Sequence, residues 1–429
     1  MRRVRIRHIA QVNPPSPQFD RLPNDAELTF LPLEKVWPDD RLDLTIRRTK
    51  SAVINGYTRF QNGDILIPKI TPTFEASRSV YIPDGLINGA GAGTTELHVL
   101  RPGSQVEPRF LFYVTHSHPF LELGKAEMQG VAGQKRVPTN FIQDYTLDLP
   151  DIDEQRRIVD FLDFTIRKIN KIDEIRKKQL ILLHERTYSF ITETLIPGTL
   201  SKPRGEWPWK WLPQIEFDTP LVRLRYVSRL QNGLTIDSSR PIDGDVVTRP
   251  YLRVANVQAG WLDLSSVTET TVPREIAERC TLRPGDVLMT EGGDLDKLGR
   301  GTVWRGELPN CLHQNHIFAV RPNPDKLDPD YLALMTRTLH GRCYFESTGV
   351  KTTNLASTSS AKILDFPIPL PSLKLQRQLV ERVRSELVSI DAAKNAIEEQ
   401  RSLLQERRKA VITAAVTGQI DVATTRGWI

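Results

Sequence analysis

One long stretch of this chain occurs twice. Residues 149–196 read LPDIDEQRRIVDFLDFTIRKINKIDEIRKKQLILLHERTYSFITETLI, and residues 370–418 read LPSLKLQRQLVERVRSELVSIDAAKNAIEEQRSLLQERRKAVITAAVTG. Gln155 pairs with Gln376, Arg156 with Arg377, Ile169 with Ile390, Gln179 with Gln400, Arg186 with Arg407 and Thr192 with Thr413. The offset is 221 throughout, as 376 stands to 155, so the match runs without a gap. A single long repeat in 429 residues means two copies of one unit rather than a solenoid of short period.

Both copies read as long helices. Ile158, Leu162, Thr165, Ile169, Ile172 and Leu183 keep helical spacing in the first. Leu379, Val383, Leu387, Ile390, Ala393, Ile397, Leu404 and Val411 do so in the second. Steps of three and four place these side chains on one stripe, and charged residues fill the other faces. Neither copy holds a Pro or Gly between its opening Leu-Pro and its closing Pro197 or Gly418. A stripe so narrow on a helix so long calls for a second long helix to pack against.

The segments preceding the helices also match, more loosely. FLPLEKV aligns with YLRVANV, QNGDILIPK with RPGDVLMTE, FLFYVT with YLALMT, and MQGVAGQKRVPTN with ESTGVKTTNLAS. The landmarks keep their order while the residues between them diverge. GDILI and GDVLM are short apolar strands entered through a Gly-Asp turn. TELHVLRP and HIFAVRP are further strands, and FLFYVTHS and YLALMTRTL short helices. Each unit is therefore a mixed, strand-rich α/β domain followed by its own long helix. The predicted layout is a first domain over 1–148, a helix over 149–196, a linker over 197–220, a second domain over 221–369, a helix over 370–418 and a tail over 419–429. The linker, rich in Pro and Gly, carries Trp207, Trp209 and Trp211, which are expected to pack it against a domain, with stacking on bases as the alternative.

Composition excludes several classes. With 39% hydrophobic and 26% charged residues of mixed sign, the chain can bury a core and is not disordered. No apolar run approaches the ~18–20 residues of a membrane span, and MRRVRIRHIAQ lacks a signal-peptide apolar region, which fits the cytoplasm. Cys280, Cys311 and Cys343 are scattered, so no disulfide framework is indicated. A net charge of +6 and a pI of about 9.1 favour an anionic partner, most simply nucleic acid.

Catalytic motifs are weak. Asn13-Pro14-Pro15 matches in part the NPP-aromatic motif of DNA amino-methyltransferases, but Ser16 stands where the stacking aromatic belongs. No glycine-rich turn for S-adenosylmethionine and no phosphate-binding GxxxxGK[ST] loop occurs. Pro150-Asp151 opens a helix and is not followed by the Asp/Glu-x-Lys strand of a Mg²⁺-dependent nuclease. Cys311, His313 and His316 in CLHQNH lack a second ligand pair for zinc. What remains is polar and basic loop chemistry. Lys69, Thr71, Arg78, Thr94, Lys135 and Arg136 in the first unit are candidate DNA contacts, as are Lys297, Arg300, Gln314, Asn315, His316, Lys351, Thr352 and Asn354 in the second. Arg, Lys, Asn and Gln read purine edges through paired hydrogen bonds, while Lys, Thr and Ser also hold phosphates. The glycine-flanked clusters Gly130–Asn140 and Gly349–Asn354 recur at the same place in both halves.

Over essentially its whole length the chain resembles the specificity subunit of type I restriction–modification systems. GDILIPKITP with TTELHVLRP, and GDVLMTEGGD with HQNHIFAVRP, look like that family's target recognition domains. LPDIDEQRRIV and LPLPSLKLQRQLV look like the starts of its two spacer helices, and AVITAAVTGQIDV like its ending. Leu375 departs from the pattern where the first copy has Glu154. The resemblance implies a non-catalytic subunit whose two helices pair as an antiparallel coiled coil. It implies double-stranded DNA as a partner, read as two different half-sites. It also implies two methyltransferase subunits carrying S-adenosylmethionine, and ATP- and Mg²⁺-dependent restriction subunits, with Gln155, Arg156, Gln376 and Arg377 at the docking surface. Two other classes remain beside it, a stand-alone DNA methyltransferase and a single-chain pseudo-dimeric regulator.

Overall fold

The computed structural model describes residues 2–38, 41–131, 133–200, 220–235, 244–293, 298–351 and 356–422. It divides into two compact units, Met1–Lys177 with Glu398–Ile429, and Lys178–Ile397. The boundaries cut both long helices, so each unit owns part of each.

In the first unit, a four-stranded antiparallel sheet has the order Ala10–Val12, Leu97–Pro102, Ile65–Pro68, Val80–Tyr81. A second sheet has the order Arg47–Thr49, Glu27–Leu31, Ala90–Gly93, Thr58–Gln61, with one parallel pairing between Glu27–Leu31 and Ala90–Gly93. Strand Arg2–Arg5 pairs with Thr146–Leu149 and ties the beginning of the domain to its end. Helix Pro108–Val114 buries Phe110, Leu111, Phe112, Tyr113 and Val114 in one cluster with Ile158, Leu162 and Ile166 of the first long helix and Ile412, Ala415 and Val416 of the second. Each of the larger aliphatic and phenylalanine side chains among them contributes roughly 1.5–3 kcal/mol by leaving water.

The second unit repeats this plan. Its sheets run Ser228–Asn232, Ile317–Pro322, Val287–Thr290, Gly301–Val303, all antiparallel, and Thr268–Pro273, Val246–Leu252, Leu312–His313, again with one parallel pairing. Leu221–Arg223 pairs with Pro367–Pro369. Helix Pro329–Arg337 packs Tyr331, Leu332 and Met335 with Ile191 and Leu195 of the first long helix and Val380 and Val383 of the second.

The long helices are continuous over Ile152–Leu195 and Leu373–Val416, 44 residues each, with both ends offset by 221. Asp151 caps the first by accepting from the backbone N–H of Glu154 at 2.8 Å, and Ser372 caps the second more loosely, from Leu375 at 3.4 Å. They run antiparallel within each unit. Asp173 meets Arg401 at 2.8 Å in one, and Arg186 meets Glu386 at 2.6 Å in the other. One seam position differs from the apolar reading. Ile172 is exposed, and its neighbour Asp173 is buried instead. The inward row runs Ile158, Leu162, Thr165, Ile169, Asp173, and hydrophobicity alone could not place a carboxylate in it. Arg401 and Lys177 supply the compensating charges.

Candidate nucleic-acid interface

Both units fix one end of the four-stranded sheet with the same device. Gly63 at φ +81° and Gly285 at φ +93° make the left-handed turn that a side chain would strain. Asp64 and Asp286 follow, each fully buried. Asp64 accepts two hydrogen bonds from Arg101, at 2.7 and 2.9 Å, and one from the N–H of Gln61 at 2.8 Å. Asp286 accepts two from Arg321, at 2.6 and 2.7 Å, and one from Arg283 at 2.8 Å. The planar guanidinium locks two neighbouring strands in register, leaving their far ends as a rigid platform.

At that far end in the first unit, Val137 donates to the Lys69 carbonyl at 2.9 Å, Lys69 to that of Glu96 at 2.8 Å, and Thr71 to that of Lys135 at 3.0 Å. Gln129 and Arg136 exchange backbone hydrogen bonds and close a hairpin, with Val131 and Lys135 exposed on it. The Lys69 ammonium donates to the Thr95 carbonyl at 2.8 Å, and burial pulls its pKa below the ordinary value. Thr94 accepts from the N–H of Glu96 at 3.2 Å. Arg136 forks onto Glu96 at 2.8 and 2.9 Å, and these hydrogen bonds hold the Glu96 carboxyl below its usual range. Arg78 precedes the edge strand Val80–Tyr81, antiparallel to Ile65–Pro68, and so lies at the same end. Lys69, Thr71, Arg78, Thr94, Lys135 and Arg136 thus come together, although Arg136 already has an internal carboxylate partner.

The second unit builds the same mesh from different residues. Glu291 takes the place of Lys69: its N–H donates to the His316 carbonyl at 2.9 Å, and Thr358 donates to its own carbonyl at 2.7 Å. His316 Nδ1 meets the Glu291 carboxylate at 2.5 Å. Gln314 and Asn315 occupy the adjoining turn, anchored by their N–H groups to the carbonyls of Leu252 and Leu234, both at 2.9 Å. Gly301, next to Arg300, pairs with Met289 at the same end. Strand Val350–Lys351 pairs with Ala356–Ser357, which pairs with Gly292–Gly293. Lys297, Thr352 and Asn354, and the three linker tryptophans, lie outside the described residues.

Several residues take other roles than the sequence suggested. Gln155 and Gln376 have no surface to offer a docking partner, being 1% and 0% exposed. Gln155 accepts from the N–H of Glu107 at 2.8 Å and donates to the carbonyls of Gln105 at 3.4 Å and Pro150 at 3.0 Å. Gln376 accepts from Asp328 at 2.8 Å and donates to Lys326 at 2.9 Å and Pro371 at 2.8 Å. They are clamps between a domain and its helix, and the position-for-position repeat reflects that duty. Arg156 and Arg377 remain exposed. Asn13 bridges within the sheet, with Oδ1 accepting from Val99 at 2.9 Å and Nδ2 donating to His98 Nδ1 at 3.2 Å. His98 then donates from Nε2 to the Val137 carbonyl at 3.0 Å and stays neutral, burial pushing its pKa down to about 4. Cys311 and His313 are buried, while His316 is exposed. Sequence reading missed Glu96, which partners Arg136, and the exposed edge strand Arg47–Thr49, whose signal was the basic run IRRTK.

Residues 55–182 match the family model described as the type I restriction modification DNA specificity domain. The chain is 38% identical over 199 residues to the specificity subunit of the Escherichia coli type I restriction enzyme EcoAI, covering 46% of this chain and 32% of that one. It is 34% identical over 222 residues to the EcoEI specificity subunit of the same organism, covering 50% and 36%. These matches therefore span about a third of each relative's length. A chain solved in work on complex assembly and conformational transition of the type I R-M system superposes with a TM-score of 0.73 at 19% identity, covering 98% of both chains. The HsdS subunit from Thermoanaerobacter tengcongensis does so with a TM-score of 0.54 at 18% identity, covering 98% and 97%.

Proposed function

We propose that the chain is the DNA-reading subunit of a type I restriction–modification complex, as its matches to the specificity domain and to two specificity subunits support. In this reading each strand-rich domain, 1–148 and 221–369, reads one half of a split, asymmetric site in double-stranded DNA. The observation that carries it is the contrast between the two sheet ends. One backbone mesh presents Lys69, Glu96 and Arg136 in the first unit, and Glu291 and His316 in the second. A fixed scaffold with different chemistry at equivalent positions is what reading two different half-sites requires.

The chain itself performs no chemistry in this reading. Two methyltransferase subunits bring S-adenosylmethionine, and restriction subunits bring ATP and Mg²⁺. Arg156 and Arg377 remain as docking residues, joined by the exposed Phe164, Ile172 and Ile175 of the first long helix. No helix among the described residues is long and apolar enough to cross a membrane, and we place the complex in the cytoplasm.

The test is methylome sequencing of a host with the complex present and absent. A methylated, two-part asymmetric site should appear only with the chain and its partners together. DNA methylation by the isolated chain would make it a methyltransferase, and binding to two identical half-sites would make it a regulator.

A further inference from the structure

The two units dock their domains onto the long helices through the same four positions, with the charges exchanged. In the first unit Arg109, in the opening turn of helix Pro108–Val114, donates to Asp163 of the first long helix at 2.9 and 3.1 Å. In the second, the residue 221 positions on from Arg109 is Asp330, in the opening turn of helix Pro329–Arg337. The residue 221 positions on from Asp163 is Arg384, and the two meet at 3.6 Å. The first domain therefore presents a cation to an aspartate of its helix, and the second an aspartate to an arginine of its helix.

The first contact is half-buried, with Arg109 and Asp163 30% and 29% exposed; in the second, Asp330 is 25% exposed and Arg384, which also meets Glu381, is 53% exposed. Each is built into its own surroundings. The Arg109 guanidinium lies within 6 Å of the Tyr81, Phe112 and Tyr113 rings, and the Tyr113 hydroxyl donates to the same Asp163 oxygen. Asp330 is held by Arg305 as well as Arg384, and sits where a helix N-terminus favours a carboxylate. The equivalents of Phe112 and Tyr113 are Ala333 and Leu334, so the aromatic surroundings are absent where the anion stands.

We infer that this exchanged ion pair keys each recognition domain to its own position in the chain. A first-type domain placed in the second position would set its arginine against Arg384. A second-type domain placed in the first would set its aspartate against Asp163. Either arrangement puts like charges in contact, with the weaker screening at Asp163, which is 29% exposed, and the stronger at Arg384, which is 53% exposed. The two domains share a fold, yet they are not interchangeable unless the helix residue travels with them. The order of the two reading heads along the chain is thereby protected.

The test uses full-length chains. One carries residues 1–148 in both positions, replacing 221–369, with either Arg or Asp at position 384. The native chain with Arg384→Asp, and with Asp330→Arg and Arg384→Asp together, completes the set. Arg384→Asp should lower the melting temperature of the native chain by about 2–4 °C and raise that of the duplicated chain by a similar amount, as a half-exposed pair allows at about 2–4 °C per kcal/mol for units of this size. In an Arg305→Gln background, which removes the second arginine held by Asp330, the double reversal should recover at least half of the loss caused by the single one. A substitution whose effect has the same sign in both backgrounds, or a double reversal no better than the single one, overturns the inference. If the duplicated chain does not fold with either residue, the native single and double variants still decide it.

Discussion

Gln376 offers the clearest measure of how a domain is fastened to its helix. Its side chain is fully buried and makes three hydrogen bonds, from the Asp328 N–H and to the Lys326 and Pro371 carbonyls. Gln376→Leu keeps the volume and removes all three. The Asp328 N–H then has no acceptor from the helix, which costs about 1–3 kcal/mol, and each lost net hydrogen bond adds about 1 kcal/mol. Allowing for partial relaxation, the total is about 2–4 kcal/mol. At about 2–4 °C per kcal/mol the melting temperature should fall by roughly 4–16 °C. Hydrogen exchange localises the effect. At 1.4 kcal/mol per factor of ten, the amide of Asp328 should exchange at least tenfold faster, while amides of the distant strand Val246–Leu252 change only with global stability. Gln155→Leu should do the same to Glu107 in the first unit, where the hydrogen bond has the same 2.8 Å length. Unchanged melting together with unchanged Asp328 exchange would refute the clamp.

Other outcomes follow from the same structure. Burial depresses the pKa of His98, His116, His313 and His340 from 6.5 to about 4, so the folded state binds fewer protons than the unfolded one between those values. Stability is then full above pH 6.5 and is lost as pH falls toward 4, by up to about 3 kcal/mol per histidine, and a melting temperature flat from pH 6.5 to 5 would contradict this. Lys135→Ala, in the assembled complex, should weaken DNA binding and reduce the log–log salt slope by about 0.9, the effect of one lost phosphate contact; an unaltered slope removes the hairpin from the interface. Arg401→Leu leaves the buried Asp173 with Lys177 alone and should destabilise by about 1–3 kcal/mol, whereas adding Asp173→Leu should recover most of that loss. A double variant less stable than the single one would show that the pair does more than compensate its own burial.

The long helices were legible because a 3.6-residue period sustained over 44 residues admits few other readings, and the repeat gave their ends independently. The Gly-Asp turns announced their strands for the same local reason: Gly63 and Gly285 supply a backbone conformation that few other residues tolerate. What the sequence could not reveal was which polar residues point inward. Gln155 and Gln376 repeat like docking residues, yet their repetition comes from serving equivalent backbone groups. Asp173 interrupts an apolar row, and only the arrival of Arg401 from a remote stretch makes its burial tolerable. Similarly, Arg136 reads as a free cation until Glu96, forty residues earlier, is brought beside it. Such roles depend on pairings distant in sequence, and periodicity carries no information about them.

The sharing of both long helices between the two units has a consequence for the order in which the protein is made. The first unit buries Ile158, Leu162 and Ile166 against Ile412, Ala415 and Val416, and the His118 N–H donates to Thr413. Those closing residues leave the ribosome only after the whole of Lys178–Ile397 has been synthesised. The second unit, by contrast, draws all its segments from one uninterrupted stretch. The N-terminal domain must therefore wait with part of its apolar helix face uncovered, and the later-made unit is the first that can be completed.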